Sequence, residues 1–374
     1  MRFPEFDGEW ESKPLREVVK INQGLQIAIS ERSTENKTGS YFYITNEFLK
    51  AGSGKKYYIL NPPQSVICTE KDILMTRTGN TGQVVTNVSG AFHNNFFKVA
   101  YPEYIDKIFL YNFLKLNKTQ NQILRFAGTS TIPDLNHSDF YRIVISFPSN
   151  IEQEKISSFL SMIDERIQAQ SKIINDLKTL KTATAKKIFS QELRFKDDKG
   201  NEFLEWENIL LGDTLDYEQP TNYLVSSTEY DDSFETPVVT AGKTFILGYT
   251  DDKNGVFEKE KLPVIIFDDF TTASQFVDFP FKAKSSAMKI LKAKNDTNIR
   301  FIFEALQMIN YEVGGHGRHW ISVFSNLSIF VPSFPEQTKI ANFLSAIDSK
   351  IDMENQLLQK LEEQKKYLLQ NIFV

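Results

Sequence analysis

The sequence predicts an α/β (α+β) architecture: two similar globular domains joined by two long antiparallel helices forming a coiled coil, with an internal pseudo-two-fold duplication. Three observations carry this expectation. "EQEKISSFLSMIDERI" at 152–167 returns as "EQTKIANFLSAIDSKI" at 336–351, a constant offset of 184 residues. Each copy follows a short β-like run ending in proline, "IVISFP" at 143–148 and "LSIFVP" at 327–332. The fronts of the two halves echo as well: Arg2-Phe3, Gly8 and Trp10-Glu11 recur as Arg194-Phe195, Gly200 and Trp206-Glu207. Chance likeness between amphipathic helices explains neither the echoing fronts nor the gapless offset.

Taken in order, residues 1–150 form a first domain, 151–195 a central spacer helix, 196–333 a second domain and 334–374 a C-terminal spacer helix. A chain of 374 residues is long enough for two ordinary domains, and 31 Phe with 14 Tyr can fill their cores. The helices show in the spacing. Ile156, Leu160, Ile163, Ile167, Ile174, Leu177 and Ile188 advance by threes and fours, as do Ile340, Leu344, Ile347, Ile351, Leu358, Leu361, Leu368 and Ile372. Pro148 and Pro335 stand where a helix can begin, and Glu152 and Glu336 occupy favourable first-turn positions. Each rod of about 39 residues spans roughly 58 Å.

If the second domain starts and ends near one place, the second helix must run back along the first. Both seams break at polar residues: Gln170 and Lys181 in one helix, Glu354 and Lys365 in the other. One antiparallel register matches Gln170 with Lys365 and Lys181 with Glu354 while keeping the aliphatic layers intact. It stacks Ile163 on Ile372, Ile167 on Leu368, Ile174 on Leu361 and Leu177 on Leu358. Matched polar layers would fix register at some loss of stability.

A single cysteine, Cys68, excludes an internal disulfide and fits a reducing cytosol. No apolar run approaches the ~20 residues of a membrane span, so a cytoplasmic protein with no membrane partner is expected. The balance of 43 basic and 48 acidic residues speaks against a nucleic-acid partner only on average. Residues 1–150 carry 17 Lys/Arg against 14 Asp/Glu. A second basic stretch, Lys282 to Trp320, lies within the otherwise acidic second domain. Two related domains held apart by helices suit duplex DNA, whose half-sites are read in helical turns of about 34–36 Å.

Recognition chemistry concentrates in loops. "TRTGNTGQ" at 76–83 gathers Arg77, Thr78, Asn80, Thr81 and Gln83 around two glycines, so that backbone can approach phosphates while forks reach base edges. The alternative is a polar hairpin tip. "AFHNNFF" at 91–97 offers His93, Asn94 and Asn95, as DNA contacts or as a buried turn. "STIPDLN" at 130–136, with Ser130 and Thr131, and "GGHGRHW" at 314–320, with His316, Arg318 and His319, occupy one place in the repeat. Two different loops at one place suit two readers of different half-sites, whereas Trp320 reads as core.

Signs of catalysis are weak. "NPPQ" at 61–64 is like the Asn-Pro-Pro-aromatic motif of DNA amino-methyltransferases but has Gln64 in the aromatic's place, and a turn is expected. "AGSGKK" at 51–56 lacks the first glycine and the magnesium-binding hydroxyl of a phosphate loop. His316 and His319 lack a third metal ligand, and the carboxylates of "IIFDD" at 265–269 read as solvated turn residues. No catalytic residue, metal or cofactor is expected on this chain.

The sequence resembles the specificity subunits of type I restriction–modification enzymes. The likeness covers the whole chain. It rests on "FPSNIEQEKISSFLSMIDERI" and "VPSFPEQTKIANFLSAIDSKI", on the helix ends "KKIFS" and "LQNIFV", and on the "RF…G.W" openings. "DILMTRTGNTGQV" at 72–84 and "VVTAGKTFILGYT" at 238–250 are also family-like, and the latter adds Lys243, Thr244 and Tyr249 as DNA-binding candidates. The resemblance implies two target-recognition domains, each reading half of a bipartite double-stranded DNA site. It implies a helical pair that docks methyltransferase subunits, with restriction (motor and translocase) subunits joining for cleavage. S-adenosylmethionine, Mg and ATP would then belong to the partner subunits alone. The competing expectations are a coiled-coil interaction scaffold without a DNA role, or the specificity module of another multi-subunit methyltransferase.

Overall fold

The computed structural model describes residues 1–374 apart from Ala51, Ser53, Ser130, Lys243, Asn295, 314–316 and Val374. Two compact units result: Met1–Ser171 with Gln356–Val374, and Lys172–Asn355. The boundary falls inside both long helices, so each unit takes a share of each helix. The helices are thus not segments separate from the domains, because their apolar faces wall the domain cores.

The first unit runs β1 (Glu11–Pro14), α1 (Leu15–Val18), β2 (Lys20–Gln23), β3 (Ser40–Ile44), β4 (Tyr58–Leu60), β5 (Ile67–Cys68), β6 (Ile73–Thr76), β7 (Val84–Val85), β8 (Gly90–Phe92) and β9 (Phe96–Ala100). Helices α2 (Lys107–Lys115), α3 (Asn117–Ala127) and α4 (His137–Phe140), strand β10 (Val144–Phe147) and the start of α5 (Asn150–Phe189) complete it. One sheet has the order β2-β9-β6-β7, all antiparallel. A second has the order β4-β3-β8-β5, with β3 and β8 parallel, and β1 pairs with β10. All four residues of strand β6 are buried, three of them apolar and the fourth Thr76.

The second unit follows the same path with other residues. It has β11 (Glu207–Leu210), α6 (Leu211–Thr214), β12 (Leu215–Glu218), β13 (Thr236–Val239), β14 (Ile246–Thr250), β15 (Val264–Asp268), β16 (Ser274–Val277), β17 (Lys282–Ala283) and β18 (Met288–Ala293). Helices α7 (Ile299–Gln307) and α8 (His319–Ser322), strand β19 (Ser328–Val331) and α9 (Phe334–Ile372) follow. Its sheets are β12-β18-β15-β16 and β14-β13-β17, with β13 and β17 parallel, and β11 pairs with β19. Strand for strand this is the order of the first unit, without counterparts to β5 and α3.

Each repeated residue of the sequence has a repeated job. Glu152 is buried and accepts Arg2 through Nε (2.8 Å) and Nη2 (2.7 Å); Glu336, equally buried, accepts Arg194 through the same atoms at 3.0 Å each. Gln153 accepts the Asp106 N–H (2.9 Å) and donates to the Pro148 carbonyl (2.9 Å), while Gln337 accepts the Asn298 N–H (2.8 Å) and donates to Pro332 (2.9 Å). Asp106 and Asn298 are themselves the N-caps of α2 and α7. The Glu-Gln pair therefore ties each long helix to the arginine before its domain and to the helix inside it. Phe3 meets Phe159 edge-on at 5.8 Å, as Phe195 meets Phe343 at 5.6 Å.

Within the first unit Ile156, Leu160 and Ile163 share a core with Leu368 and Ile372. Within the second, Ala185 and Ile188 share one with Ile340, Ala341 and Leu344. Burying each Ile or Leu among these contributes about 1.5–3 kcal/mol. Along the seams Ile163, Gln170, Ile174, Ile351, Leu361 and Leu368 are buried, and Ile167, Leu177, Lys181, Ile347, Glu354, Leu358 and Lys365 are half-buried.

The two helices run in opposite senses inside each unit. Arg2 reaches Glu152 while the Met1 amino group donates to the Asn371 carbonyl, and further along Lys365 donates to Asp164. In the second unit Arg194 holds Glu336, and Lys181 donates to Asp348 at 2.7 Å. The expected match of Lys181 with Glu354 is corrected by this arrangement. Lys181 is spent on Asp348 and on Glu304 of α7 (3.0 Å), and Glu354 takes Lys350 of its own helix. Lys181 with Asp348 and Lys365 with Asp164 are one pair repeated in both units, and Glu304, a buried carboxylate outside the helix pair, is a further partner of Lys181 in the second unit alone.

Candidate nucleic-acid interface

Three loops of the first unit converge on Arg77. The β6–β7 loop turns at Gly79 (φ 84°) and Gly82 (φ 89°), left-handed positions that suit glycine. Side chains already occupy the space a Cβ would need, Asn46 Nδ2 at 2.7 Å from one and Gln120 Oε1 at 2.7 Å from the other. Those same side chains brace the loop, Asn46 donating to the Thr78 carbonyl (3.3 Å) and Gln120 to that of Gly82 (2.9 Å). From the β8–β9 loop the Asn95 carbonyl accepts the Arg77 N–H (2.7 Å), and from the loop after α3 the Leu135 N–H donates to the Arg77 carbonyl (2.9 Å). Asp134 accepts Arg77 Nε (3.1 Å) and Nη2 (2.6 Å), and also the Thr78 hydroxyl.

This leaves a polar surface. Asn80, Gln83 and Thr131 are exposed, and Arg77, Thr78, His93, Asn94 and Asn95 are half-buried. His93 Nδ1 accepts the Asn95 N–H (3.1 Å), and Asn94 donates to Gln26 (3.0 Å). Burial first, and then the charge of Arg32, lowers the pKa of His93, so it is neutral at pH 7. The carboxyl of Asp134 lies below its usual range: burial pushes it up, but hydrogen bonds from Thr78 and Arg77 and the charge of Arg77 outweigh this. Thr81 differs from its expected role. It is buried and its single hydroxyl hydrogen is shared between the carbonyls of Pro133 (2.7 Å) and Arg77 (3.0 Å), so it ties two loops together instead of facing outward.

In the second unit Asp269 holds the place of Arg77: its N–H donates to Ala287 (3.0 Å) and its carbonyl accepts the His319 N–H (2.9 Å). By the same bonds Arg318 holds the place of Asp134, so the charges are interchanged. Asp269 is no solvated turn residue. It is buried, accepts the Trp320 N–H (2.8 Å) and pairs with buried Lys289 (3.3 Å), whereas Asp268 does cap the following turn. Arg318 is exposed and makes no ion pair to a described residue. His319 is buried against Tyr311, its Nε2 without a partner among the described residues, which corrects its expected contact with bases or phosphates. Thr244 is exposed and Tyr249 half-buried on the β13–β14 hairpin. No hydrogen bond joins that hairpin to Arg318 or His319 among the described residues. Ser130, Lys243 and His316 lie outside the described residues.

A family described as the type I restriction modification DNA specificity domain matches residues 7–179 and 204–363, once in each half. The chain belongs to that family. It is a specificity subunit of a type I restriction–modification system with two DNA-recognition domains. Over 133 residues, 34% of this chain and 32% of the relative, it is 49% identical to the type I restriction enzyme EcoR124I/EcoR124II specificity subunit of Escherichia coli. The chain thus spans about a third of that relative's length. It is 25% identical to the type I restriction enzyme MjaVIII specificity subunit of Methanocaldococcus jannaschii over 99% of this chain and 92% of that one. The fold is shared with the S subunit of a type I system from M. genitalium, at TM-score 0.65 and 19% identity over 100% and 99% of the two chains. A structure concerned with complex assembly and conformational transition of the type I R-M system matches at TM-score 0.53 and 14% identity, over 99% and 98%.

The specificity domains place other residues at the site than the sequence singled out. Asp134, Asn46 and Gln120 shape the first domain's loops, and Lys289 with Asp269 shapes the second's. Asp134 was visible in principle, since the repeat offset sets it against Arg318. Asn46 and Gln120 belong to distant segments and carried no local signal. Asn61 (φ 48°) begins a turn into a short 3-10 stretch, Gln64–Val66, so "NPPQ" forms the expected turn. "AGSGKK" includes Ala51 and Ser53, outside the described residues. Among the described residues no group of three or more His, Cys, Asp or Glu side chains is placed to hold a metal, and no helix is long and apolar enough to cross a membrane.

Proposed function

We propose that this specificity subunit binds a bipartite duplex site, each domain reading one half, and performs no chemistry itself. Methyltransferase subunits would supply methyl transfer and restriction or translocase subunits cleavage, with S-adenosylmethionine, Mg and ATP bound on those partners. The carrying observation is the convergence on Arg77 of three loops that present Asn80, Gln83 and the Arg77 guanidinium from one braced surface. Amide and guanidinium forks are the groups that pair bidentately with adenine and guanine edges. The exposed Arg318, at the second domain's counterpart of Asp134, supplies a different reader there. Methylome sequencing of host cells with and without the gene tests this: one bipartite motif is expected to lose methylation when the gene is removed. An unchanged methylome, or methyl transfer by the purified chain alone, overturns it.

A further inference from the structure

We propose that Asp134 is a positioning residue for base reading: it grips one edge of the Arg77 guanidinium and thereby aims the other edge at a guanine. The inference rests on the reading of these loops as a DNA-facing surface. A guanidinium is planar and carries five N–H donors on a rigid fork. Asp134 takes the edge made by Nε and Nη2, at 3.1 and 2.6 Å. Nη1 and the second Nη2 hydrogen form the adjoining, end-on edge, and Nη1 bonds no described residue. Two parallel N–H groups on that edge match the O6 and N7 acceptors of guanine in the major groove.

The fork has little freedom to turn. The Arg77 main chain is fixed on both sides by Asn95 and Leu135, and Thr78 donates a further bond to the same carboxylate. The side chain is only 20% exposed, so one approach remains open. A lysine at 77 would keep the charge and the ion pair but not the second edge. In the second domain the interchanged pair does not form, because Asp269 turns inward to Lys289 and leaves Arg318 unbraced. The two domains thus carry one aimed and one unaimed arginine, at interchanged places of the same loop pair.

The test is selection from a random duplex library by the full chain, comparing wild type with Arg77→Lys and Asp134→Asn, each checked for unaltered melting. Both variants are expected to lose guanine preference, about tenfold, at one and the same position of one half-site, the other half-site being unchanged. Placing 7-deazaguanine at that position removes the N7 acceptor. It should weaken wild type about tenfold and the variants little. If either variant melts early, the base analogue on the wild-type chain still decides. Retained guanine preference in Asp134→Asn, loss spread evenly over the half-site, or an indifferent response of wild type to the analogue overturns the proposal. A wild-type chain that selects no sequence at all sinks instead the DNA-facing reading, and the proposal with it.

Discussion

At the scale of single residues, the loops at the interface are built from side chains whose ionisation is already set. His93 and His137 both titrate below the usual histidine range, chiefly through burial, with Arg32 and Arg77 respectively adding to the effect. A histidine with a depressed folded pKa binds its proton more readily once unfolded. Stability therefore falls as pH drops below about 6.5, and the loss is complete below the folded pKa. Chemical denaturation at pH 5 and pH 7 should show the chain less stable at pH 5, and His93→Gln should shrink the difference. An unchanged difference in that variant would rule His93 out as a source. Asp134 has the opposite sense: its carboxyl titrates low, so its grip on Arg77 holds at neutral pH and fails only as pH falls through its depressed value.

Among elements, the long helices were legible from sequence because a heptad seam is a local pattern, and α5 and α9 bear it out over 40 and 39 residues. The partners of their polar residues were not legible. Lys181 is claimed by Glu304, which is 123 residues away along the chain and belongs to no repeat with the seam. In the first unit Lys365 pairs with Asp164, and the place of Glu304 is taken by Asn112, a buried amide bonded to the Ile108 carbonyl (2.9 Å). Truncating the lysine thus removes one of two cations from a buried carboxylate in one unit only, leaving Glu304 to Arg300 (3.1 Å) alone. We expect Lys181→Met to destabilise the chain by about 1–3 kcal/mol more than Lys365→Met. Equal effects in denaturant titrations would count against this account of Glu304. The candidate loops were legible only in part: Arg77 and the glycines stand out by composition, whereas the inward turn of Thr81 and His319 depends on Pro133 and Tyr311, which no local pattern joins to them.

For the whole molecule, the repetition of one chain path in two units predicts that recognition is modular. Exchange of residues 196–331 for the same segment of a relative should alter one half of the methylated motif and leave the other half intact. A chimaera that changes both halves would refute modularity. The bonds that seat the loops are alike in the two units: Leu135 N–H to the Arg77 carbonyl and His319 N–H to the Asp269 carbonyl both join main chain to main chain. Peptide groups are the same whatever side chain they carry. The same main-chain bond holds leucine to arginine in one unit and histidine to aspartate in the other. The consequence is evolvability: new letters of target sequence can be tried one substitution at a time on a frame that does not register the change.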